Sequence, residues 1–367
     1  MIVHNLRLQP LDLTRGGDRA AVTGLLFRLY RDDPYWLAPP PRAYRRQLDP
    51  RRAGLGLETA VAGFLAEGFL RQARSTPNGL PVVVSSELTL GAIGLMLTPP
   101  GRVARFFALE FYNDRVVCAR LLEAAWEWAG ERGARALQGP IAPFGYGDDG
   151  LLADGFDQAP VLLAPYHLPY YAELVEGAGL DVVAEMAMVR LPCTGVEHRP
   201  TAPAVRSLPV PPWELLAAGG WRFLAGVQAL ARPPFAPGLM STCTRLHRSD
   251  LAWGWYEEDH ALQPEGLIWL LPDQQADGRY LRRLCGHLSR PRPSRRTRLA
   301  ALALRRTCRR EDIGPLLLAT ALQAAAVAGF TALEFGLYPV DDPTVTALLA
   351  SHSVMAPRRY RLYERRE

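Results

Sequence analysis

The chain has no lysine: all 42 of its basic residues are arginine. That absence removes Schiff-base chemistry, a catalytic lysine amine and the lysine of a phosphate-binding P-loop. Asparagine occurs three times and isoleucine five. Codons for Lys, Asn and Ile are AT-rich, so base composition accounts for these scarcities without invoking function. Cysteine is sparse and scattered, at Cys118, Cys193, Cys243, Cys285 and Cys308. An odd count without a Cys-x-x-Cys pair argues against a disulfide framework and a zinc site, and fits a reducing cytoplasm. Cys285-Gly286-His287 is the nearest approach to a metal-ligand pair, and no second pair completes it. No metal is expected. Long apolar runs are missing too. A membrane-crossing helix needs about 18 or more uncharged apolar residues. The best stretch, Leu316 to Phe330, is shorter and carries Thr320 and Gln323. The opening MIVHNLRLQP has no basic segment followed by an apolar one, so no signal peptide is expected and the expected location is cytoplasmic.

What is present is 367 residues, 49% apolar and 22% charged. At about 150 residues per domain this is room for two domains with real cores. The net charge of +5 is uneven: residues 1–195 carry −2 and residues 196–367 carry +7. Composition shifts at the same place, with six prolines from Pro192 to Pro212. The expected organisation is therefore a domain over 1–195, a Pro-rich linker over 196–212 and a domain over 213–367.

Periodicity places strands at His4–Leu11, Leu88–Leu97, Val103–Phe111, Ala134–Gln138 and Asp181–Leu191. Helices are expected from Asp18, as cap, to Arg31, from Arg115 to Arg132 behind a capping Asp114, and over Tyr170–Gly177. The second part repeats the order. Trp213–Ala231 reads as helix, then Leu251–Tyr256, Gly266–Leu271 and Leu299–Arg306 as strands. Pro315–Ala328 reads as helix, Ala332–Tyr338 as strand, Pro343–Ala350 as helix and Arg359–Tyr363 as strand. FFALEFYND…WAGERGARALQGP and LAALALRR…AAAVAGFTALEFGL are the same strand–turn–helix–Gly–strand unit, so an internal duplication is the simplest reading.

That unit resembles the core of the GNAT (Gcn5-related N-acetyltransferase) fold. A longer string is similar to bacterial tandem-GNAT proteins: Gly139-Pro140, Gly150-Leu151-Leu152, Gly155-Phe156-Asp157, Pro160, Pro165-Tyr166-His167 and Pro169-Tyr170-Tyr171. His167 stands where that pattern has Asn. DDPYWLAPP near the start and RRYRLYERR near the end also match. The resemblance implies an α/β fold (an α+β mixed sheet) made of two tandem GNAT-like acyl-CoA N-acyltransferase domains. It implies acetyl-CoA or another acyl-CoA as co-substrate and a small-molecule amine, amino-acid-like, as acceptor.

In that fold a helix N-terminus holds the donor's pyrophosphate through free N–H groups and the helix dipole. The second domain offers Arg309-Arg310-Glu311-Asp312-Ile313-Gly314 against a Gln/Arg-x-x-Gly-x-Gly/Ala pattern, so Asp312 replaces the first Gly. Leu304, Arg306, Arg309, Arg310, Ile313, Gly314 and Pro315 are the expected donor contacts. Nine arginines within Arg290–Arg310 could hold phosphates or form a solvated basic loop, and both readings stay open. The first domain has no glycine in its turn, and Asp114 puts an acid where a phosphate would sit.

Transfer to an amine needs a base and a proton donor for the leaving thiolate. The usual tyrosine donor falls on Val175 in the first half and Leu349 in the second, so neither half shows it. Glu334, Tyr338, Tyr146 and Asp148 are candidates by position, set against readings as core or turn residues. Trp36, Asp149, His167, Tyr170 and Tyr171 could line a substrate cleft; an aromatic plug of the core is the competing reading. Three functions compete. The first is the acyltransferase. The second is a catalytically silent tandem-GNAT scaffold binding a ligand or protein partner. The third, nucleic-acid binding, is disfavoured because the basic run has few interleaved aromatics and no recognised motif. A homodimer stays open.

Overall fold

The computed structural model describes residues 2–56, 58–75, 81–193, 204–231, 235–257, 263–273, 295–308 and 310–367. The N half starts with β1 (Ile2–Pro10), α1 (Gly16–Leu29) and α2 (Pro41–Gln47). Next come β2 (Ala60–Ser75), β3 (Pro81–Leu97), β4 (Val103–Phe111) and α3 (Arg115–Gly130). β5 (Ala136–Ile141), β6 (Leu151–Asp154), α4 (Tyr171–Gly177) and β7 (Asp181–Pro192) complete it. The C half opens with β8 (Val205–Ser207), α5 (Pro212–Ala217), β9 (Trp221–Gly226) and α6 (Pro237–Leu246). β10 (Ala252–Trp255), β11 (Gly266–Pro272), β12 (Arg296–Arg305) and α7 (Ile313–Val327) follow. It ends with β13 (Ala332–Pro339), α8 (Pro343–Leu349) and β14 (Met355–Arg366).

Among the described residues one 14-stranded mixed sheet runs through both halves, twelve of its strands in the order β1-β2-β3-β4-β5-β14-β7-β13-β12-β11-β10-β8, with β6 paired to β14 and β9 to β12 off that path. Among the described residues parallel pairing occurs twice, at β4–β5 and at β12–β13, one site per half. β12 and β13 pair only at their beginnings, over Arg296–Arg298, whereas β4 pairs with β5 from Val103 to Phe107 and runs on alone beyond Ile141, the end of β5. The centre of the sheet is interleaved. β14 of the C half lies between β5 and β7 of the N half, and β7 lies between β14 and β13. Each half thus lends the strand after its last helix to the other.

Helices cover both faces. Leu121, Leu122, Ala125 and Trp128 of α3 pack on one face of the N half with Phe106 and Phe111, and Val22 and Leu25 of α1 pack on the other with Phe107. In the C half, Leu317, Leu318 and Ala321 of α7 pack on one face, and Leu239 and Cys243 of α6 on the other. Asp114 caps α3 as expected, accepting from the N–H groups of Val116 at 2.9 Å and Val117 at 3.1 Å.

Three expectations need correction. α1 begins at Gly16 with Arg15 at the cap position; the Asp18 carboxylate instead accepts from Asp12 N–H at 2.8 Å. Trp213–Ala231 is not one helix. Gly219 and Gly220 adopt φ of +77° and +80°, which ends α5 and turns the chain into β9. β2 and the first half of β3 had no counterpart in the periodicity reading; they form a hairpin whose ladder pairs Ala60 with Leu97 and Ser75 with Pro81. Arg290, Arg292, Arg309 and Cys285-Gly286-His287 lie outside the described residues.

Candidate active site

The loop between β5 and α4 carries most of the recognisable string and covers the joint between the halves. Asp148 is fully buried and ion-paired with the equally buried Arg298 of β12. It also accepts from Gln228 N–H at 3.0 Å, and its own N–H donates to Leu163 O at 2.9 Å. Burial pushes its carboxyl up, and the Arg298 charge pulls the other way. Asp149 accepts from Ala142 N–H at 2.9 Å and donates its N–H to Gln228 Oε1 at 3.3 Å. Glu334 of β13 is fully buried under three guanidinium groups from three strands: Arg190 of β7 at 2.7 Å, Arg296 of β12 at 3.2 Å and Arg358 of β14 at 3.4 Å. Arg358 also donates to Ala159 O at 2.8 Å.

Asp148 and Glu334, expected as candidate bases, are therefore fasteners of the joint, and neither presents a free carboxylate. Tyr338 packs tilted against Phe335 with centroids 5.7 Å apart, buried in the C-half core. Tyr146 is half-buried against the N-half cluster around Phe144, and burial raises its hydroxyl. The arginine run is also divided. Arg296 and Arg298 are consumed by acids, and Arg305 donates to Gly219 O at 3.1 Å, while Arg306 and Arg310 are exposed.

A different carboxylate stands out. Glu110, on the last turn of strand β4 before α3, is buried where β4 has left β5. Tyr171 Oη donates to it at 2.8 Å and Tyr30 Oη at 3.2 Å. Burial pushes its carboxyl up to about 7 despite both donors. Tyr171 opens α4, and its oxygen accepts from Phe111 N–H at 3.2 Å. Tyr170 donates to Phe111 O at 2.5 Å. Burial and the Glu110 charge hold the Tyr171 hydroxyl well above its usual range, so it keeps its proton at neutral pH.

Four of the five expected cleft residues gather here. Trp36 stacks on Tyr30 at 5.3 Å, and His167 lies 5.5 Å from Tyr171, which itself stacks on Tyr170 at 4.9 Å. Asp33 ties this cluster together by accepting from Trp36 N–H at 2.9 Å and from Tyr166 Oη at 3.0 Å. His167 Nδ1 accepts from Leu152 N–H at 3.1 Å, and burial pushes the ring down to about 4, so it is neutral. Asp149, the fifth, belongs to the joint instead. Sequence reasoning missed Glu110, although the signal was present: a lone acid within FFALEF, an otherwise apolar strand. It also sought the tyrosine at Val175. Tyr171 lies four residues earlier, hence one turn back on the same helix face.

The two helix starts differ. That of α3 is closed by the Asp114 carboxylate. At α7, Asp312 makes no side-chain cap; its carboxylate binds Arg310 at 2.6 Å and 3.0 Å, and Arg310 stacks on Trp255 at 4.8 Å. Ile313 and Leu304 are core residues, Pro315 is exposed, and a Cβ on Gly314 would meet only Leu224 Cδ1, at 3.9 Å. Yet the gap beyond this helix start is filled, because β9 pairs with β12 from Ala301 to Arg305. The C-half donor positions therefore do not face an open gap. Arg309 lies outside the described residues. No group of His, Cys, Asp and Glu suited to a metal occurs among the described residues, and no helix among them is long and apolar enough to cross a membrane.

No protein-family model matches the chain. A 74-residue stretch is 34% identical to Protein YghO of Escherichia coli (strain K12), covering 20% of this chain and 19% of that protein. The match thus spans about a fifth of that curated relative. Among solved structures, a tandem GNAT protein from the clavulanic acid biosynthesis pathway, determined without acetyl-CoA, aligns over 99% of this chain and 98% of its own. Identity is 13% and the TM-score 0.52. A GCN5-related N-acetyltransferase from Sphaerobacter thermophilus covers 98% of this chain and 95% of its own, at 13% identity and a TM-score of 0.46. With the duplicated strand–helix–strand crossovers and a mixed sheet through both halves, the chain has the fold of a tandem GNAT protein.

Proposed function

We propose that the protein is an acyl-CoA-dependent N-acyltransferase whose chemistry resides in the N half. One observation carries this: Glu110 and Tyr171 form a carboxylate–phenol pair, 2.8 Å apart, at the divergence of β4 and β5. A carboxylate held near 7 is matched to taking one proton from the nitrogen of a neutral amine as it attacks at neutral pH. The phenol keeps its proton and can give it to a leaving thiolate.

The amine acceptor enters past the half-buried rings of Trp36, Tyr166 and Tyr170. Glu110 removes the amine proton as nitrogen attacks the thioester carbonyl. The C–S bond breaks, and Tyr171 protonates the departing sulfur. The proton on Glu110 then passes to Tyr171 along their hydrogen bond, which restores both groups. Products are an amide and free CoA, so atoms and charge balance. Phe111 N–H, now bonded to Tyr171, is the backbone donor nearest this exchange. The acceptor is a small amine, amino-acid-like; the domain pair 1–195 and 213–367 with its 196–212 linker is part of the same proposal, as is a cytoplasmic location.

The test is release of CoA from acetyl-CoA and from dodecanoyl-CoA with a panel of amines. Glu110→Gln and Tyr171→Phe should each cut the rate about 10²–10⁴-fold, and the parent rate should rise with pH through about 7. Unchanged release in Glu110→Gln would sink the assignment. No release with any amine would leave the silent scaffold as the reading.

A further inference from the structure

We infer that β9 is the resident occupant of the C half's donor gap, so that the chain takes a single acyl-CoA, in the N half, with its pyrophosphate held away from the α3 start that Asp114 closes. This rests on the acyltransferase reading above. The donor's pantetheine arm is extended and carries two amides, so it pairs with a free strand edge much as a peptide does. In the C half, that edge belongs to β12 beyond Arg298, where β13 diverges.

β9 already pairs with that edge. Ala301 faces Gly226, Leu302 faces Ala225, Ala303 faces Phe223, Leu304 faces Arg222 and Arg305 faces Trp221. β11 holds the opposite edge of β12, so no second edge is left. Gly226 suits this close approach: its φ is +132°, and a Cβ there would lie 2.3 Å from Ala300 O. Val227 N–H donates to the same oxygen at 2.8 Å. At the other end, Arg306 N–H donates to Gly220 O at 2.9 Å, and the Arg305 guanidinium stacks on Trp221 at 4.2 Å. Leu224 and Ala225 sit in the core with α7.

The N half differs at the matching place. Phe111 is bonded there by the hydroxyls of Tyr171 and Tyr170 rather than by a strand, whereas the C half carries a five-pair ladder anchored in the core. The covered strand also lacks chemistry: β12 carries Ala301-Leu302-Ala303-Leu304 where β4 carries Glu110.

The test is calorimetric titration with acetyl-CoA, then dodecanoyl-CoA, coupled to amide hydrogen exchange on the unmodified protein. One equivalent should bind per chain, with protection gained over residues 104–112 and unchanged slow exchange over 221–226. Two equivalents, or protection lost from 221–226, or protection gained at 296–308 instead, would overturn the inference while CoA release upheld the enzyme. Absence of both binding and CoA release would overturn the acyltransferase reading and this inference with it.

Discussion

Replacing Glu334 tests whether the joint is held by a buried ion cluster. The carboxylate is fully buried, and so is Arg358, while Arg190 and Arg296 are 23% and 18% exposed. Glu334→Gln removes the anion and leaves Arg190 of β7 and Arg358 of β14 without it, while Arg296 of β12 keeps the Asp273 carboxylate at 3.3 Å. Arg190 and Arg296 can turn partly toward water; Arg358 cannot. Breaking a buried pair by removing one partner costs about 3–5 kcal/mol, mostly as the penalty of the charge left behind. The expected loss of unfolding free energy is therefore about 3–5 kcal/mol, read from urea denaturation by tryptophan fluorescence and circular dichroism together. Glu334→Leu combined with Arg358→Met should recover a large part of it, because the stranded charge is gone. A loss below about 1 kcal/mol, the scale of an exposed pair, would refute the reasoning. A stable Glu334→Gln protein that had lost CoA release would reassign Glu334 to catalysis.

Three further outcomes follow from the geometry. Glu110 moves from its ordinary 4.5 to about 7 in the fold, so the native state holds the extra proton between those values. Its contribution to stability should therefore fall by about 3 kcal/mol as pH rises from about 4.5 to about 7; because His167 acts in the opposite sense below about 6.5, the fall is read as the difference between the parent and Glu110→Gln, each denatured at pH 5 and at pH 8. His167 is displaced the other way, to about 4, so its contribution is present above about 6.5 and is lost as pH falls toward 4. Its ring carbon shifts should show no protonation at pH 6 by NMR, and titration near 6.5 would contradict its burial. Gly226→Ala forces a Cβ to 2.3 Å from Ala300 O at φ of +132° and should cost roughly 2–4 kcal/mol; wild-type stability in that variant would mean that β9 is not held against β12.

The parts of the fold legible in the sequence were those fixed by local signals. Asp114 before an amphipathic run marked a helix start, and Gly133 and Gly329 after such runs marked ends at positive φ. The duplicated crossovers were visible because each is a contiguous string. What failed depended on distant partners. Trp213–Ala231 has helical spacing, but β9 is decided by the open edge of β12, more than 70 residues on. Asp148 and Glu334 look catalytic in isolation, because their arginines come from other strands. Asp149 reads as a cleft residue for the same reason, although its N–H donates to Gln228 Oε1 of the C half. Glu110 was overlooked since burial, rather than residue type, gives it an interesting pH range.

The crossed placement of β7 and β14 has a consequence for vectorial synthesis. As the chain emerges from its N-terminal end, β5 and β7 appear long before residues 355–366, which lie between them. Until that strand arrives, the N half exposes unpaired edges on β5 and β7, and β7 has no β13 to face either. The N half cannot settle into its final sheet while the C half is still being made, so the two halves mature together rather than in turn. For the cell, the interval between those events is a window of exposed strand edges that favours mispairing with other nascent copies.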